Sequence, residues 1–223
     1  SHVVEDPSFP VRVTVHTLGV APGGDGDHES NATRLAEIRR DHAGDKLEDL
    51  GYDRRYVLER LRRLPLDPFR ISYAYTNFGV TAAAEAVAQA GGRPWEDLSE
   101  QVLYGPLGMT STSSRFADYE ARPDKAVGHI HVDGKYEPLY KRDADPEAPA
   151  GGVSSSVNDL THWLSMVLAN GSYNGRQILD AKALLPALTP QSVSSPPSEP
   201  AMRSGFYGYG FNVGTSSAAR MQF

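Results

Sequence analysis

Cysteine is absent from the 223 residues, so no disulfide staples the fold, and neither a thiolate nucleophile nor Cys-ligated zinc belongs to its chemistry. Long apolar runs are missing too. The longest, residues 80–90 and 163–169, fall well short of the about 18 to 20 residues that a membrane span needs. Basic charge is in the minority: 22 Lys and Arg against 28 Asp and Glu leave a net charge of −6. A field of that sign does not gather a phosphate backbone, which argues against nucleic acid as a partner. What is present, 39% hydrophobic and 22% charged residues, suits one globular domain.

The ends carry an expectation of their own. Ser1 opens the chain in place of Met, with no charged and then apolar leader behind it. Near the other end Tyr207, Tyr209, Phe211 and Val213 alternate like one half-buried strand, and no partner strand is visible before Phe223. The 223 residues are therefore expected to be part of a longer protein, and such a piece to be marginally stable or aggregation-prone in isolation.

Between the ends, residues 9–18 read as a strand with Val11, Val13 and Val15 on one face. Residues 21–30 have turn chemistry throughout, and Asp25, Asp27 and Glu29 lack the spacing of a calcium loop. A helix is predicted over 52–64, with Val57, Leu58, Leu61 and Leu64 inward and Arg54, Arg55, Arg60, Arg62 and Arg63 on a solvated outer face, ended by Pro65 and Pro68. An extended run at 69–75 gives way to an alanine-rich helix from about Asn77, stopped by Gly91-Gly92. Another helix opens at Pro94-Trp95 and breaks at Gly105-Pro106.

Asp133-Gly134 predicts a two-residue hairpin, on whose first strand His129 and His131 share a face; without a third ligand nearby they read as exposed strand histidines. Ser156-x-x-Asp159 is a capping box for a helix carrying Leu160, Trp163, Leu164, Val167 and Leu168 and ending at Asn170-Gly171. Asn174-Gly175 marks a second turn, Asp180 caps a short helix, and residues 192–200 read as a Ser/Pro loop.

For proton transfer the most suggestive arrangement is Tyr75-Thr76-Asn77, where the extended run meets the helix and side chains are held rigidly at a surface. A phenol acts as a base only where cations favour its anion, and an Asn amide offers one acceptor and two donors to a polar substrate. Alone, Tyr-x-Asn is a weak signal.

The surrounding text is more specific. Pro68-Phe69-Arg70-Ile71-Ser72-Tyr73-Ala74-Tyr75-Thr76-Asn77-Phe78-Gly79, then Leu103-Tyr104-Gly105-Pro106-Leu107-Gly108-Met109-Thr110-Ser111-Thr112, then Pro149-Ala150-Gly151-Gly152-Val153-Ser154-Ser155-Ser156-Val157-Asn158-Asp159-Leu160 resemble, in order and spacing, the serine β-lactamase-like hydrolases. Within them the likeness is to the branch of class C β-lactamases, D-alanyl-D-alanine carboxypeptidases and esterases. The resemblance implies an α+β fold of the α/β sandwich type, β-lactamase- and penicillin-binding-protein-like, in which a helical subdomain meets an antiparallel sheet. On that plan residues 1–45 are an atypical entry segment, 46–170 the mainly helical subdomain, and 171–223 the return toward an incomplete sheet.

The resemblance also implies chemistry. The family uses a Ser-x-x-Lys nucleophile, a Tyr-x-Asn motif and a Lys-Thr-Gly or His-x-Gly strand. Tyr75 maps onto the proton shuttle and Asn77 onto the ligand of the substrate's amide or carbonyl, in covalent acyl transfer with no cofactor and no metal. The implied partners are small amide, ester or β-lactam molecules, and the implied setting is periplasmic or secreted in bacteria, with oligomeric state and cytoplasmic residence left open.

The other two motifs are absent from the 223 residues. The five lysines, at 46, 125, 135, 141 and 182, are preceded at three residues by Ala43, Arg122, Val132, Pro138 and Leu179. The sole His-x-Gly, His42-Ala43-Gly44, precedes the tyrosine and reads as a chance match in a loop. The segment 19–40 stands where the family continues into a helix and a His-x-Ser-Gly-Leu-like loop. The chain is therefore expected to be the central part of a serine hydrolase, inactive by itself, or alternatively a non-catalytic binding module of the same fold.

Overall fold

The computed structural model of the chain describes residues 4–6, 9–13, 43–64, 73–215 and 221–222. The loop at 21–30, the prolines at 65 and 68 and the start of the extended run lie outside those residues. Short strands Val4–Asp6 and Phe9–Val13 pair antiparallel, helices dominate from Ala43 to Leu168, and antiparallel strands prevail from Ser172 onward. This is an α+β arrangement. No helix among the described residues is long and apolar enough to cross a membrane.

Local chemistry explains most element boundaries. Asp53 accepts from the Tyr56 N–H at 2.7 Å and starts the helix Arg54–Leu61, which ends three residues before the predicted Leu64. Its outer face is not wholly solvated: Arg54 turns inward, pairs with Glu96 and Glu85, and donates to the Asp145 and Pro146 carbonyls. The helix Asn77–Gly91 stops where Gly92 takes φ 64°, a left-handed conformation that a Cβ disfavours. Its Phe78, Thr81, Ala84 and Ala88 are buried, and the small alanines let the Ala148–Gly151 turn pack directly on it.

The next helix does not break at Gly105-Pro106 as the sequence suggests. It runs Trp95–Ser99, widens into one π turn at Glu100–Tyr104, and continues through Gly105–Leu107 to Gly108 at φ 68°. In the π turn Gly105 donates to the Glu100 carbonyl five residues back, and Pro106, which has no N–H, enters without ending the helix. Asp133 and Gly134, both at positive φ, close the hairpin Gly128–Val132/Lys135–Tyr140 as expected, and His129 and His131 are exposed on it.

Two expectations at the C-terminal side are corrected. Ser192–Ser195 is not loop but a strand paired with Gly205–Tyr207. The aromatic alternation is not one strand either: Gly208 donates to the Phe211 carbonyl at 2.8 Å, Gly210 turns at φ 86°, and Asn212–Thr215 folds back on Gly205–Tyr207. A partner follows as well, because Met221–Gln222 pairs with Asn212–Thr215 and completes a four-stranded meander.

The core lies between the two halves. Tyr104, Leu107, Met109, Met166, Val167 and Leu184 are buried together, with Trp163 stacked on Phe211 against them. The helix Val157–Leu168 therefore turns Trp163, Met166 and Val167 inward, while Leu160, Leu164 and Leu168 are exposed. Its capping box forms as predicted, Ser156 Oγ accepting from the Asp159 N–H at 3.1 Å. Asp159 also accepts from the Ser111 N–H and the Thr112 hydroxyl, both at 2.7 Å, and Ser113 and Ser154 form a two-way backbone bridge. Two of the three blocks that carry the family resemblance thus meet each other as scaffold.

Candidate active site

Tyr75 and Asn77 come together at a helix start. Thr76 is extended, at φ −154° and ψ 124°, and Asn77 is the first residue of the helix Asn77–Gly91. That reversal from extended to helical backbone brings the two side chains to one side, and Tyr75 Oη donates to Asn77 Oδ1 at 2.9 Å. The neighbouring Phe78 is buried and anchors the turn, whereas Tyr75 is 59% exposed, an accessible phenol on a fixed base. Residues 73–76 pair with no strand among the described residues.

Aromatic rings wall one side. The Tyr73 and Tyr207 rings lie 5.1 Å apart, Tyr207 coming from the Gly205–Tyr207 strand, so sheet and helical half meet beside the motif. Burial pushes both phenols above their usual range, and a negative charge on Tyr75 would raise each further. Both therefore stay neutral near pH 7 and act as polar-tipped apolar wall rather than as acid or base.

Behind Asn77 stands a charged cluster that sequence reasoning missed. Asn77 Nδ2 points to Asp45 Oδ1 at 3.5 Å. Arg142 Nε donates to Glu48 Oε1 at 2.7 Å, and Arg142 also pairs with Glu147. Glu147 is fully buried and Glu48 nearly so. Among the described residues Glu48 Oε2 and Glu147 Oε2 are buried with no hydrogen-bond partner, a conflict that a proton on Glu147 lessens by removing one of two buried negative charges. Burial first, then the negative charge of Glu48, pushes the Glu147 carboxyl up to about 7, against the pull of Arg142. The Glu48 carboxyl is raised by burial as well. No pattern in one dimension distinguishes these acids from exposed ones; the only hint is their proximity to Gly44 and to Gly151, whose Cβ would stand 2.8 Å from Glu147 Oε1.

This yields an expected pH dependence. Between its ordinary value of 4.5 and about 7, Glu147 keeps in the folded state a proton that the unfolded chain has lost. Its contribution is thus fully present below the unfolded value and lost as pH rises through that window. Glu147→Gln carries its N–H at every pH, so its stability relative to the parent should grow from pH 5 to pH 8 by on the order of 2 to 3 kcal/mol. Thermal melts of both proteins at the two pH values measure it, and an advantage that stays flat with pH refutes it.

A wide recess lies away from Tyr75, walled by Tyr52, Arg54, Glu85, Glu96, Arg115 and Asp145. Its cations are already paired, Arg54 as above, Arg55 with Glu59 and Arg115 with Asp97, so it offers no unpaired cation to an anionic ligand. Among the described residues no three His, Asp or Glu side chains converge as a metal site. His42 of the His-x-Gly match lies outside them; Ala43 and Gly44 belong to the helix Ala43–Asp49.

Comparison with known proteins places the chain. An unguisins hydrolase of Aspergillus violaceofuscus is 28% identical over 172 residues, which are 70% of this chain and 30% of the relative. The D-alanyl-D-alanine-carboxypeptidase/endopeptidase AmpH of Escherichia coli K12 is 29% identical over 100 residues, 45% of this chain and 24% of the relative. The chain thus spans less than a third of the length of these curated relatives. Among solved structures, the octameric penicillin-binding protein homologue of Pyrococcus abyssi superimposes with a TM-score of 0.61 at 19% identity, over 76% of this chain and 37% of its own. The D-amino acid amidase of Ochrobactrum anthropi SV3 gives 0.57 at 20% identity, over 73% of this chain and 47% of its own. At such identities the likeness is one of fold. The Beta-lactamase family model matches residues 16–221, nearly the whole chain, which therefore belongs to the beta-lactamase family.

Proposed function

We propose that the protein carrying this chain is a serine hydrolase that works through a covalent acyl-enzyme on small amide, ester or β-lactam substrates, with Tyr75 as proton shuttle and Asn77 as substrate ligand. The observation that carries the reading is the exposed Tyr75 phenol hydrogen-bonded at 2.9 Å to Asn77 on the first turn of a helix anchored by the buried Phe78. Since no Ser-x-x-Lys occurs among the 223 residues, the nucleophile belongs to residues outside them, and these residues alone are expected to be inactive.

In the proposed reaction a serine oxygen attacks the carbonyl carbon, and its proton passes by way of Tyr75 Oη to the departing nitrogen or oxygen as the scissile bond breaks. Water then attacks the resulting ester, frees the acid and returns the proton to serine. Asn77 has two N–H donors; one faces Asp45 and the other is left for a substrate carbonyl or amide. Kinship with a D-alanyl-D-alanine-carboxypeptidase favours D-amino-acid peptides among the substrate classes.

Intact-mass spectrometry of the full-length protein mixed with penicillin, a D-alanyl peptide and an activated ester tests this. The expected result is a mass increase equal to one acyl group with at least one probe, located by digestion on the serine of a Ser-x-x-Lys. A correctly folded protein that gains no mass from any of them overturns the proposal and favours the non-catalytic binding module.

A further inference from the structure

The amide of Asn77 can be placed in two ways that differ by a half turn about its terminal bond. In one, Oδ1 faces Tyr75 Oη and Nδ2 faces Asp45 Oδ1; in the other the oxygen meets the Asp45 carboxylate and the NH2 group faces the phenol. The second sets two acceptors against each other and gives the phenol oxygen a donor, so its own proton must point elsewhere. At 3.5 Å the Asn77–Asp45 contact is long, and its weight is electrostatic: a carboxylate attracts the amide's NH2 end and repels its carbonyl.

Asp45 is held where it can do this. It lies in the first turn of the helix Ala43–Asp49, which is pressed against the start of the Asn77–Gly91 helix at Gly44, where a Cβ would stand 2.2 Å from Phe78 Cδ2. No larger residue at 44 permits that approach without moving Phe78, the residue next to Asn77. From behind, the buried Glu147 carboxyl stands close enough to Asp45 for each to feel the other's charge. Glu147 is fixed in turn by Arg142, which also grips Glu48 one helical turn after Asp45. Buried partners from the Ala43–Asp49 helix and from the 142–147 segment thus brace Asp45 toward Asn77.

We propose that Asp45 is a positioning residue of the Tyr75–Asn77 site: by accepting from Asn77 Nδ2 it selects the amide orientation that directs Tyr75 Oη and leaves the second Asn77 N–H for substrate. This inference rests on the catalytic reading of Tyr75 and Asn77.

The experiment is a double-mutant cycle in the full-length protein, read as kcat/KM for whichever acyl substrate forms the adduct. Asp45→Ala is expected to lower it about tenfold, and Asp45→Asn, whose carbonyl oxygen still accepts from Asn77, to recover it to within about threefold. On an Asn77→Ala background, Asp45→Ala should have no further effect. If Asp45→Ala does not fold, Asp45→Ser, too short to reach Asn77, serves in its place. A kcat/KM unchanged by Asp45→Ala while Asn77→Ala lowers it overturns the positioning role and leaves the catalytic reading standing. Losses that multiply across the cycle overturn it too, because they mark a role independent of Asn77. Should Tyr75→Phe and Asn77→Ala both leave kcat/KM unchanged, the catalytic reading itself falls and the positioning role with it.

Discussion

Exchanging Tyr75 for Phe in the full-length protein is expected to slow acylation by a chromogenic ester or β-lactam by about 10²- to 10⁴-fold, the range over which a positioned proton-transfer group acts. The substitution removes one oxygen and keeps the ring. Because Tyr75 is more than half exposed and its phenol bonds Asn77 Oδ1, no buried group loses a partner beyond that one acceptor, which water can reach. The fold should therefore be untouched, with a thermal midpoint within about 1 °C of the parent's. Stopped-flow measurement of the acyl-enzyme burst separates acylation from deacylation. Both steps should slow, since the same phenol is proposed to carry the proton in each direction. A burst rate equal to that of the parent removes Tyr75 from the mechanism, and a parallel fall in thermal stability would instead assign it a structural part.

What could be read in the sequence was what short-range chemistry decides. Asp133-Gly134 and Asn174-Gly175 turn where predicted because each asparagine or aspartate and its glycine take positive φ together, and nothing distant is needed. Gly92, Ser156 and Asp180 mark helix ends for the same reason: the capping atom and the orphan backbone group are within a few residues. The helix Val157–Leu168 shows where this stops. Its apolar residues form two stripes, Leu160, Leu164 and Leu168 on one and Trp163, Met166 and Val167 on the other, and period alone does not say which one meets the core. Phe211 decides it by stacking on Trp163 from 48 residues away along the chain, that is, 211 less 163.

The same limit governs the site. Tyr75 and Asn77 are two residues apart, so their meeting follows from a local change of backbone, and a motif can record it. Asp45 reaches Asn77 across 32 residues and Arg142 reaches Glu48 across 94, through a close approach that Gly44 makes possible. Such contacts are products of packing and leave no spacing signature. The aromatic run misled in the opposite way: period-two alternation continued smoothly from Tyr207 to Val213 although Gly208 and Gly210 fold it into a hairpin, because the glycines fall on positions that a strand pattern leaves polar.

The largest loss of stability is expected from Asp159→Ala. Its side chain is 5% exposed and one oxygen, Oδ2, takes both the Ser111 N–H and the Thr112 hydroxyl at 2.7 Å. Removing it strands a partly buried backbone donor that has no room to turn, while the Thr112 hydroxyl can still bond Ser155 Oγ at 2.8 Å. Two charge-assisted bonds less that partial recovery, together with the lost carboxylate at the positive end of the helix Val157–Leu168, amount to about 3 kcal/mol. That is a fall of about 10 °C in thermal midpoint. Asp159→Asn keeps an oxygen where both donors point and should lose less than half as much. The pH dependence gives an independent check. Burial pushes the Asp159 carboxyl upward, but the bonds from Thr112, Ser111 and Ser156 outweigh it and hold the group below its ordinary value of 3.8. The stabilisation is accordingly present above that ordinary value and lost as pH falls through the depressed one. Parent and Asp159→Ala should differ most at pH 7 and converge in strong acid; a gap that stays constant would mean that shape, not charge, holds the junction. Because Asp159 ties the 103–112 and 149–160 blocks to each other and not to Tyr75, folded Asp159→Ala at low temperature should keep the parent's kcat/KM, which is the behaviour of a scaffold residue in a motif that sequence comparison alone cannot distinguish from an active site.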